Sequence, residues 1–464
     1  VRYLEHGHLH LVFESSRERR RLLKLAPHLV HPLEFTWPVY EDARIPRWKL
    51  GAGLTLYDAL ALFRNVGRHH RLSRDAVLER EPALRPDGLL GGATYFDART
   101  NDARLTLANA IGALEAGAVV MNHVAAGDLL ADRGRASGAV VTDLLSDCAT
   151  NVRAKVVVRA TGPWTGNVHG SKGAHIALPR DSIGNRQALA LLSPTDGRVF
   201  FALPAGAHAI IGTTDTFTRA SPDMVHATND DVRYLLAAAS RFFPAANLAE
   251  HDVVSAWAGI RPLLPTSDDT PGGATREHLV ATDKAGVVTV TGGKLTTYRV
   301  MANDAIEAAL AGLGATTTKD PTETAPLPGG DFWSLDALTG EALREIHDRS
   351  LAEHLTRTYG TRWRAVWTVV REPGCAGRLD DALPYVAGEL LYSVKSELAC
   401  TLADLLVRRT HIAFETRDHG LAAAEHAAAV VGPLLGWNRE ATKRAIDEYA
   451  LDAERIFRID DGLA

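Results

Sequence analysis

The sequence has few cysteines, and they form no recognisable pattern. Cys148, Cys375 and Cys400 are odd in number and match neither a CxxC pair nor the spacing of a zinc site. Scattered thiols of this kind argue against a disulfide framework and favour a reducing compartment. We expect three free thiols with structural or surface roles, because an unpaired cysteine commonly behaves as a small hydrophobic residue.

Long apolar runs and an excess of one charge sign are also missing. No stretch approaches the roughly 18 apolar residues of a membrane-spanning helix, and no signal-peptide pattern opens the chain. The net charge is −5, with acidic and basic residues mixed along the 464 residues, which argues against a nucleic-acid partner. A composition of 46% apolar and 23% charged residues is typical of a globular protein with two or three domains. We expect a cytoplasmic protein, free or peripheral at a membrane.

Familiar nucleotide and metal motifs are incomplete. Gly51-Ala52-Gly53 lacks the third glycine of GxGxxG, and Gly293-Lys294 lacks both the earlier glycine and the following Ser or Thr of a P-loop. The alternating His6, His8 and His10 are more typical of surface or packing histidines than of metal ligands. We therefore expect no nucleoside triphosphate site and no metal site.

Hydrophobic periodicity predicts helices and strands in alternation over the first 310 residues. The predicted helices are Glu14–Leu25, Tyr57–Asn65, Leu105–Ala116 and one that ends near Leu310. The predicted strands are Ala118–Met121, a β-meander over Gly127–Asn151, a buried strand Lys155–Thr161, strands within Val199–Asp215 and Val253–Arg261, and Gly286–Thr291.

A linker and a helical region follow. Gly312–Gly330 is rich in Thr, Pro and Gly and poor in apolar residues, which is typical of a linker. Leu335–Phe457 has helical periodicity almost throughout, and Asn438 is the expected cap of its last helix.

Two predicted strand ends carry residues suited to a flat cofactor. Ala160-Thr161-Gly162-Pro163-Trp164 places small residues after a strand, where a cofactor can approach the backbone closely; an ordinary strand-to-turn junction is the alternative. Gly292-Gly293-Lys294-Leu295-Thr296-Thr297 lies where a strand gives way to a helix. The positive end of that helix and the Lys294 charge would favour an electron-rich ring edge.

Three arginines are candidates for a phosphate clamp. Guanidinium groups match phosphate oxygens in geometry as well as in charge, which makes Arg2, Arg261 and Arg276 of interest. Arg261 follows an apolar, strand-like run and precedes Pro262, so we expect it to project from the end of a sheet. Surface salt bridges are the alternative for each of them.

His175 is a candidate general base. It lies between apolar flanks in Lys172-Gly173-Ala174-His175-Ile176, and the pKa of histidine lies close to the working pH of most enzymes. A hydrogen-bonded core histidine is the alternative.

Together these segments make the sequence similar to the FAD-dependent, quinone-linked glycerol-3-phosphate dehydrogenase family, nearly end to end. Many separate motifs occur in the family's order. The motifs that carry the resemblance are Arg2-Tyr3-Leu4-Glu5-His6-Gly7, Ala26-Pro27-His28-Leu29, Tyr95-Phe96-Asp97-Ala98-Arg99, Asp102-Ala103-Arg104-Leu105, Ala160-Thr161-Gly162-Pro163-Trp164, Lys172-Gly173-Ala174-His175-Ile176, Ile211-Gly212-Thr213-Thr214-Asp215, Gly259-Ile260-Arg261-Pro262-Leu263, Thr275-Arg276-Glu277 and Gly292-Gly293-Lys294-Leu295-Thr296-Thr297-Tyr298-Arg299.

The resemblance implies an α/β flavoprotein fold. It consists of a glutathione-reductase-type FAD domain, an α+β substrate cap on a mixed sheet and a C-terminal all-α domain. The expected bounds are 1–22, 100–171 and 277–327 for the FAD-binding domain, 23–99 and 172–276 for the cap, and 328–464 for the helical domain.

The resemblance also implies the activity. This is oxidation of sn-glycerol 3-phosphate to dihydroxyacetone phosphate by FAD, with electrons passed to membrane quinone. The implied location is peripheral, on the inner face of the cell membrane. A homodimer is kept as a candidate assembly. Hydride loss from C2 becomes easier as the C2 hydroxyl loses its proton, so the chemistry needs a base beside the flavin.

Roles for individual residues follow from the matching motifs. The resemblance implies that His175 accepts the proton and that Arg261 and Lys294 assist catalysis. The implied substrate-binding residues are Arg2, Tyr3, Arg261, Arg276 and Lys294. The implied cofactor contacts are Val124, Ala160, Thr161, Gly162, Gly293, Lys294, Leu295 and Thr296.

The sequence departs from the family pattern in two places. The family's opening strand, GxGxxG turn, helix and ribose-binding acid do not occur ahead of Arg2, so we expect either a chain truncated at its start or a damaged relative that binds FAD poorly. The segment Thr165–Ser171 is shorter than usual. Two other functions therefore stay open: an oxidase of the same substrate that uses oxygen, and a non-catalytic relative that has lost FAD binding.

Overall fold

The computed structural model describes residues 9–61, 65–165, 169–264, 277–316 and 320–460. The helices are α1 (Leu9–Leu25), α2 (Arg47–Leu60), α3 (Arg74–Arg80), α4 (Asp102–Glu115), α5 (Arg180–Ile183), α6 (Asn229–Ser240), α7 (Tyr298–Gly312), α8 (Leu335–Ile346), α9 (Arg349–Tyr359), α10 (Trp363–Val370), α11 (Ala387–Ser396), α12 (Ile412–Glu415), α13 (Leu421–Leu435) and α14 (Arg439–Phe457). The strands are β1 (Val30–Tyr40), β2 (His70–Leu72), β3 (Leu89–Thr100), β4 (Val124–Asp132), β5 (Arg135–Asp143), β6 (Cys148–Arg153), β7 (Val158–Arg159), β8 (His169–Pro179), β9 (Ala188–Leu192), β10 (Val199–Ala205), β11 (His208–Gly212), β12 (Thr216–Thr218), β13 (Ala227–Thr228), β14 (Ser255–Leu263), β15 (His278–Thr282), β16 (Val288–Gly292) and β17 (Ile459–Asp460).

The largest sheet is mixed and contains nine of these strands. Its order is β14-β8-β11-β10-β9-β1-β3-β2, and β12 lies beside β8 on the same edge as β11. β1 and β9 are parallel, and the remaining pairs are antiparallel. A mixed sheet agrees with the cap that the sequence predicts.

The two faces of this sheet are covered differently. One face buries Ile176 and Leu178 of β8 against Leu235 of α6. The other face buries Phe35 of β1 against Leu54 of α2. Because α2 packs against the β1 and β3 end, the β8 and β14 end of this second face is left for other groups.

Two smaller sheets lie outside the cap. β4, β5 and β6 form an antiparallel meander, as predicted. β16 pairs in parallel with β7 and antiparallel with β15, and α7 follows β16 after a short 3₁₀ turn. The strand, turn and helix predicted around residues 286–310 are therefore confirmed.

The region after residue 335 is helical, as predicted. Asn438 caps α14 by accepting a hydrogen bond from the backbone N–H of Ala441 at 2.9 Å. None of the helices in the described part of the chain has the length and apolar character that a bilayer crossing requires. Cys148, Cys375 and Cys400 are free thiols.

A buried ion pair joins α4 to the helical region. Both terminal nitrogens of Arg104 donate to the Glu397 carboxylate at 2.7 Å, and the two side chains are almost inaccessible to solvent. The Arg104 guanidinium also lies over the Tyr359 ring, 4.6 Å from its centroid. Paired geometry of this kind is needed because a buried charge without a partner is strongly destabilising.

The predicted helix Tyr57–Asn65 is wrong in its bounds. The helix begins ten residues earlier, at Arg47 after Pro46, and ends at Leu60. Gly51 and Gly53 lower its intrinsic propensity, which hid it in the sequence. Burial of Leu50, Leu54 and Tyr57, spaced as one helical face, outweighs that penalty.

Of two further predicted strands, one is wrong and the other is wrong in its extent. Ala118–Met121 forms no strand, and Val119 is 85% exposed. The buried strand predicted at Lys155–Thr161 is reduced to the two residues of β7, where Val158 is 41% exposed. A strand needs neighbours for its N–H and C=O groups, and among the described residues β7 has one neighbour and Ala118–Met121 has none.

We predict that Glu397→Gln lowers the free energy of unfolding by about 3–5 kcal/mol, because it leaves the Arg104 charge buried without a counter-charge. Urea unfolding measures the change. The matched control is Glu115→Gln, which breaks an ion pair between α4 and Arg362; the Glu115 side chain there is 55% exposed. That change should stay within about 1 kcal/mol. Equal effects of the two variants would contradict this account of the interface.

Candidate active site

One face of β8 and β14 brings two of the predicted catalytic residues, His175 and Arg261, together. Directly paired residues of antiparallel strands point to the same face of a sheet. The pairs along this face are His175 with Trp257, Gly173 with Gly259, and Ser171 with Arg261. A Cβ added at Gly259 would meet no atom within 4 Å, so open space lies between the ring pair and the guanidinium.

His175 is held between two neighbours. Its imidazole stacks on the indole of Trp257, with 5.7 Å between ring centroids and 16° between planes. On the other side, Gly212 of β11 pairs with His175, and a Cβ added at Gly212 would collide with the imidazole. Close contact on both sides of the ring limits its orientation.

The surroundings of His175 keep its imidazole neutral. Burial, with a smaller contribution from the positive charge of Arg261, lowers the pKa of His175 to about 4. Among the described residues, no hydrogen bond fixes the imidazole, which disfavours the alternative of a hydrogen-bonded core histidine. A neutral imidazole at neutral pH can accept a proton.

The sequence predicted that Arg261 projects from the end of the sheet. This is wrong, because its side chain lies across the face of the sheet. A Cβ at Gly173 would collide with its guanidinium, which therefore covers that glycine. Nη2 donates to the Thr213 hydroxyl at 2.8 Å, and Nη1 lies 3.4 Å from Oδ1 of Asp215. The hydroxyl of Ser171 donates to the same Asp215 carboxylate. These contacts fix the guanidinium beside the open space above Gly259.

The second part of the site is the turn after β16. Gly292 and Gly293 have φ of +75° and +89°, and a Cβ at Gly293 would lie 2.5 Å from Met301 of α7. These positive φ angles require glycine at both positions of the turn. Lys294 follows, and its Nζ donates to the Ser15 hydroxyl of α1 at 2.6 Å.

The two parts of the site are neighbours. Leu264, directly after β14, lies against the turn, because a Cβ at Gly292 would fall 3.0 Å from its Cγ. β7 and β16 are parallel, so Thr161 and Gly162 follow β7 at the same sheet edge as the turn. Ala160 and Thr161 are exposed, and a Cβ at Gly162 would meet no atom within 4 Å. The edge has room for a flat group.

Of the remaining predicted site residues, three lie beyond the described part of the chain, one lies in the meander and two continue the turn after β16. Arg2, Tyr3 and Arg276 lie outside the described residues. Val124 begins β4, pairs with Asp143 in the meander and is half-buried. Leu295 and Thr296 lie in the 3₁₀ turn that precedes α7.

Four residues that support this site had no role predicted from the sequence. Thr213 and Asp215 hold Arg261, Trp257 stacks on His175, and Ser15 binds Lys294. One signal was present in the sequence: Trp257, Gly259 and Arg261 alternate along a strand and must share a face. Ser15 gave no signal, because it lies 279 residues from Lys294.

Comparison with family models divides the chain in two. Residues 1–299 match a model described as FAD dependent oxidoreductase. Residues 321–442 match one described as the C-terminal domain of alpha-glycerophosphate oxidase.

Two curated relatives are similar over almost the whole chain. A glycerol-3-phosphate dehydrogenase of Mycobacterium leprae is 37% identical, covering 97% of this chain and 79% of its own. A glycerol-3-phosphate dehydrogenase of a Synechocystis species is 33% identical, covering 97% of this chain and 86% of its own.

Two solved structures share the fold. The glycerol-3-phosphate dehydrogenase of Bacillus halodurans, complexed with FAD, superposes with a TM-score of 0.80 at 28% identity and covers 95% of this chain and 85% of its own. The L-alpha-glycerophosphate oxidase of Mycoplasma pneumoniae, with FAD bound, gives a TM-score of 0.50 at 14% identity, covering 68% of this chain and 83% of its own. At that identity, the second likeness concerns the fold alone.

We predict that His175 titrates near a pKa of about 4 and that Arg261→Met raises this pKa, because the positive charge that disfavours imidazolium is removed. NMR titration of histidine-labelled protein, with His175→Gln to assign the signal, measures both values. Arg233→Met, at an exposed arginine of α6, is the control and should leave the titration unchanged. A parent His175 that titrates near 6.5 would contradict the site description.

Proposed function

This chain belongs to the FAD-dependent oxidoreductases, among the glycerol-3-phosphate dehydrogenases, and on that premise we propose that it oxidises glycerol 3-phosphate to dihydroxyacetone phosphate with FAD. The observation that supports this most is the open space above Gly259, which has a neutral imidazole on one side and a guanidinium on the other. Removal of a proton and binding of a phosphate need these two groups.

The residues present fit the flavin part of FAD. Small, exposed residues end β7, and the glycine turn after β16 lies at the same sheet edge beside the space above Gly259. FAD, when bound, supplies the acceptor for a hydride from C2 of the substrate. The proposed contacts are Val124, Ala160, Thr161, Gly162, Gly293, Lys294, Leu295 and Thr296.

His175 is the proposed general base. It takes the proton of the C2 hydroxyl, which concentrates negative charge on the alkoxide oxygen and eases departure of the hydride. Its low pKa keeps the acceptor nitrogen free before substrate binds. A bound phosphate dianion offsets the Arg261 charge, which favours the imidazolium formed by proton transfer.

Arg261 and Lys294 are proposed to act by charge. Arg261 binds the phosphate, and its bonds to Thr213 and Asp215 hold the guanidinium in place before the phosphate binds. Lys294 stabilises negative charge near the β16 turn, from a position set by Ser15. Arg2, Tyr3 and Arg276 are proposed as further substrate ligands, on the resemblance of their motifs.

We propose membrane quinone as the electron acceptor, for a protein peripheral on the inner face of the cell membrane, with a homodimer as the candidate assembly. Oxygen is the second candidate, because residues 321–442 match a family model described as the C-terminal domain of alpha-glycerophosphate oxidase. A dehydrogenase and an oxidase of this substrate differ in their electron acceptor.

We expect His175→Gln to slow anaerobic reduction of the bound flavin by saturating glycerol 3-phosphate by about 100-fold or more, because the base is lost. Stopped-flow absorbance in a single turnover measures the rate. His226→Gln is the matched control: this buried histidine of the same cap bonds Asp460 at 2.7 Å and should leave the rate near that of the parent. A His175→Gln rate within a few-fold of the parent would remove this residue as the base.

The acceptor is tested with an oxygen electrode and a soluble quinone analogue. The dehydrogenase predicts substrate-dependent reduction of the quinone under nitrogen and little oxygen uptake in air. Rapid oxygen uptake with stoichiometric peroxide would establish the oxidase instead. The test compares two acceptors in one preparation, so loss of cofactor affects both arms equally.

A further inference from the structure

We propose that Trp257 is a positioning residue for His175 and that the C-terminal helical region sets its place through Phe414. This inference rests on the proposed function, since it concerns the orientation of the proposed base. Trp257 and Phe414 belong to none of the motifs that carry the family resemblance, and the contacts between three rings single them out.

The three rings contact one another in series, His175 on Trp257 and Trp257 on Phe414. The imidazole of His175 lies parallel to the Trp257 indole, with 5.7 Å between centroids. The Phe414 ring meets the indole edge-on at 5.1 Å and 87°. Contacts of this kind have preferred geometries, so each ring restricts the tilt of the next.

Phe414 is anchored in the helical region. It belongs to α12, and its ring packs edge-on against Phe457 of α14 at 4.9 Å. Its carbonyl oxygen accepts a hydrogen bond from the Ser255 hydroxyl of β14 at 2.7 Å. Ser255 and Trp257 share one face of β14, so backbone and ring of Phe414 are both fixed against the strand that bears the indole.

His175 depends on this support because the contact on the other side of its ring is with the backbone of Gly212. In the described chain no hydrogen bond orients the imidazole, and Gly212 on its other side has no side chain. The charged group that acts on it is Arg261 of β14, which is paired with Asp215 from the segment after β11. The indole is thus the side chain that sets the plane of the ring.

A cavity gives the indole room to move if Phe414 is shortened. It has a volume of about 400 Å³ and lies between the cap sheet and the helical region. Trp257 and Phe414 both line it, beside Ala177 and Ile210 of the sheet. Loss of the Phe414 ring would enlarge this space, and the indole could then tilt away from His175.

The test uses Trp257→Leu, Trp257→Phe and Phe414→Leu in the FAD-loaded protein. We expect Trp257→Leu and Phe414→Leu to slow single-turnover flavin reduction about 10- to 100-fold, with the dissociation constant of glycerol 3-phosphate changed by no more than about threefold. Trp257→Phe keeps an aromatic partner and should retain most of the rate. Val431→Ala, in the same helical core, is the control for lost packing alone: it should lower the melting temperature and not the rate.

The pKa of His175, measured by NMR, is the second readout. Loss of the indole admits water to the imidazole, so Trp257→Leu should raise this pKa toward the ordinary histidine value. Parental rates and a parental pKa in both leucine variants would overturn the proposal. A parent protein that fails to reduce its flavin would count against the proposed function alone, because the pKa readout still tests the stack.

Discussion

The pairing of β8 with β14 is the constraint on which the site depends. Its register places His175 opposite Trp257 and Ser171 opposite Arg261, with two glycines between them. A shift of β14 by one residue along β8 would turn Trp257 and Arg261 to the other face, where Ile176 and Leu178 now fill the core. Packing of the core on one face of the sheet therefore fixes the positions of the candidate catalytic side chains on the other face.

Segments outside the β8 and β14 pair also hold residues of the site in place. α1 provides Ser15, which binds Lys294, and Glu18, whose carboxylate binds Arg299 of α7 at 2.8 Å. These contacts hold the glycine turn after β16 in place. On the other side of the cap, the helical region contacts β14 through Phe414. His175 and Lys294 are thus each supported by segments far away in sequence.

The elements predicted correctly from the sequence are those that local sequence pattern determines. The meander after Gly127, the strand, turn and helix around Gly293, and the capped helix after Asn438 are confirmed, because short-range periodicity and turn chemistry determine them. Family resemblance singled out His175 and Arg261, and β8 and β14 place these two residues on one face of the sheet. The FAD-dependent glycerol-3-phosphate dehydrogenase resemblance is likewise confirmed by the relatives.

Long-range pairing explains what was missed. Ala118–Met121 has the apolar, β-branched character of a strand but no strand beside it among the described residues. The α2 helix was hidden by Gly51 and Gly53 because its stability comes from packing on the sheet. The support of Lys294 by Ser15 leaves no local mark in the sequence.

The most direct test of the account is a visible absorption spectrum of the purified protein, before and after anaerobic addition of glycerol 3-phosphate. The account predicts a flavin absorption band that bleaches when the substrate is added. A protein without a flavin band even after incubation with FAD, or a band that the substrate leaves unchanged, would contradict it.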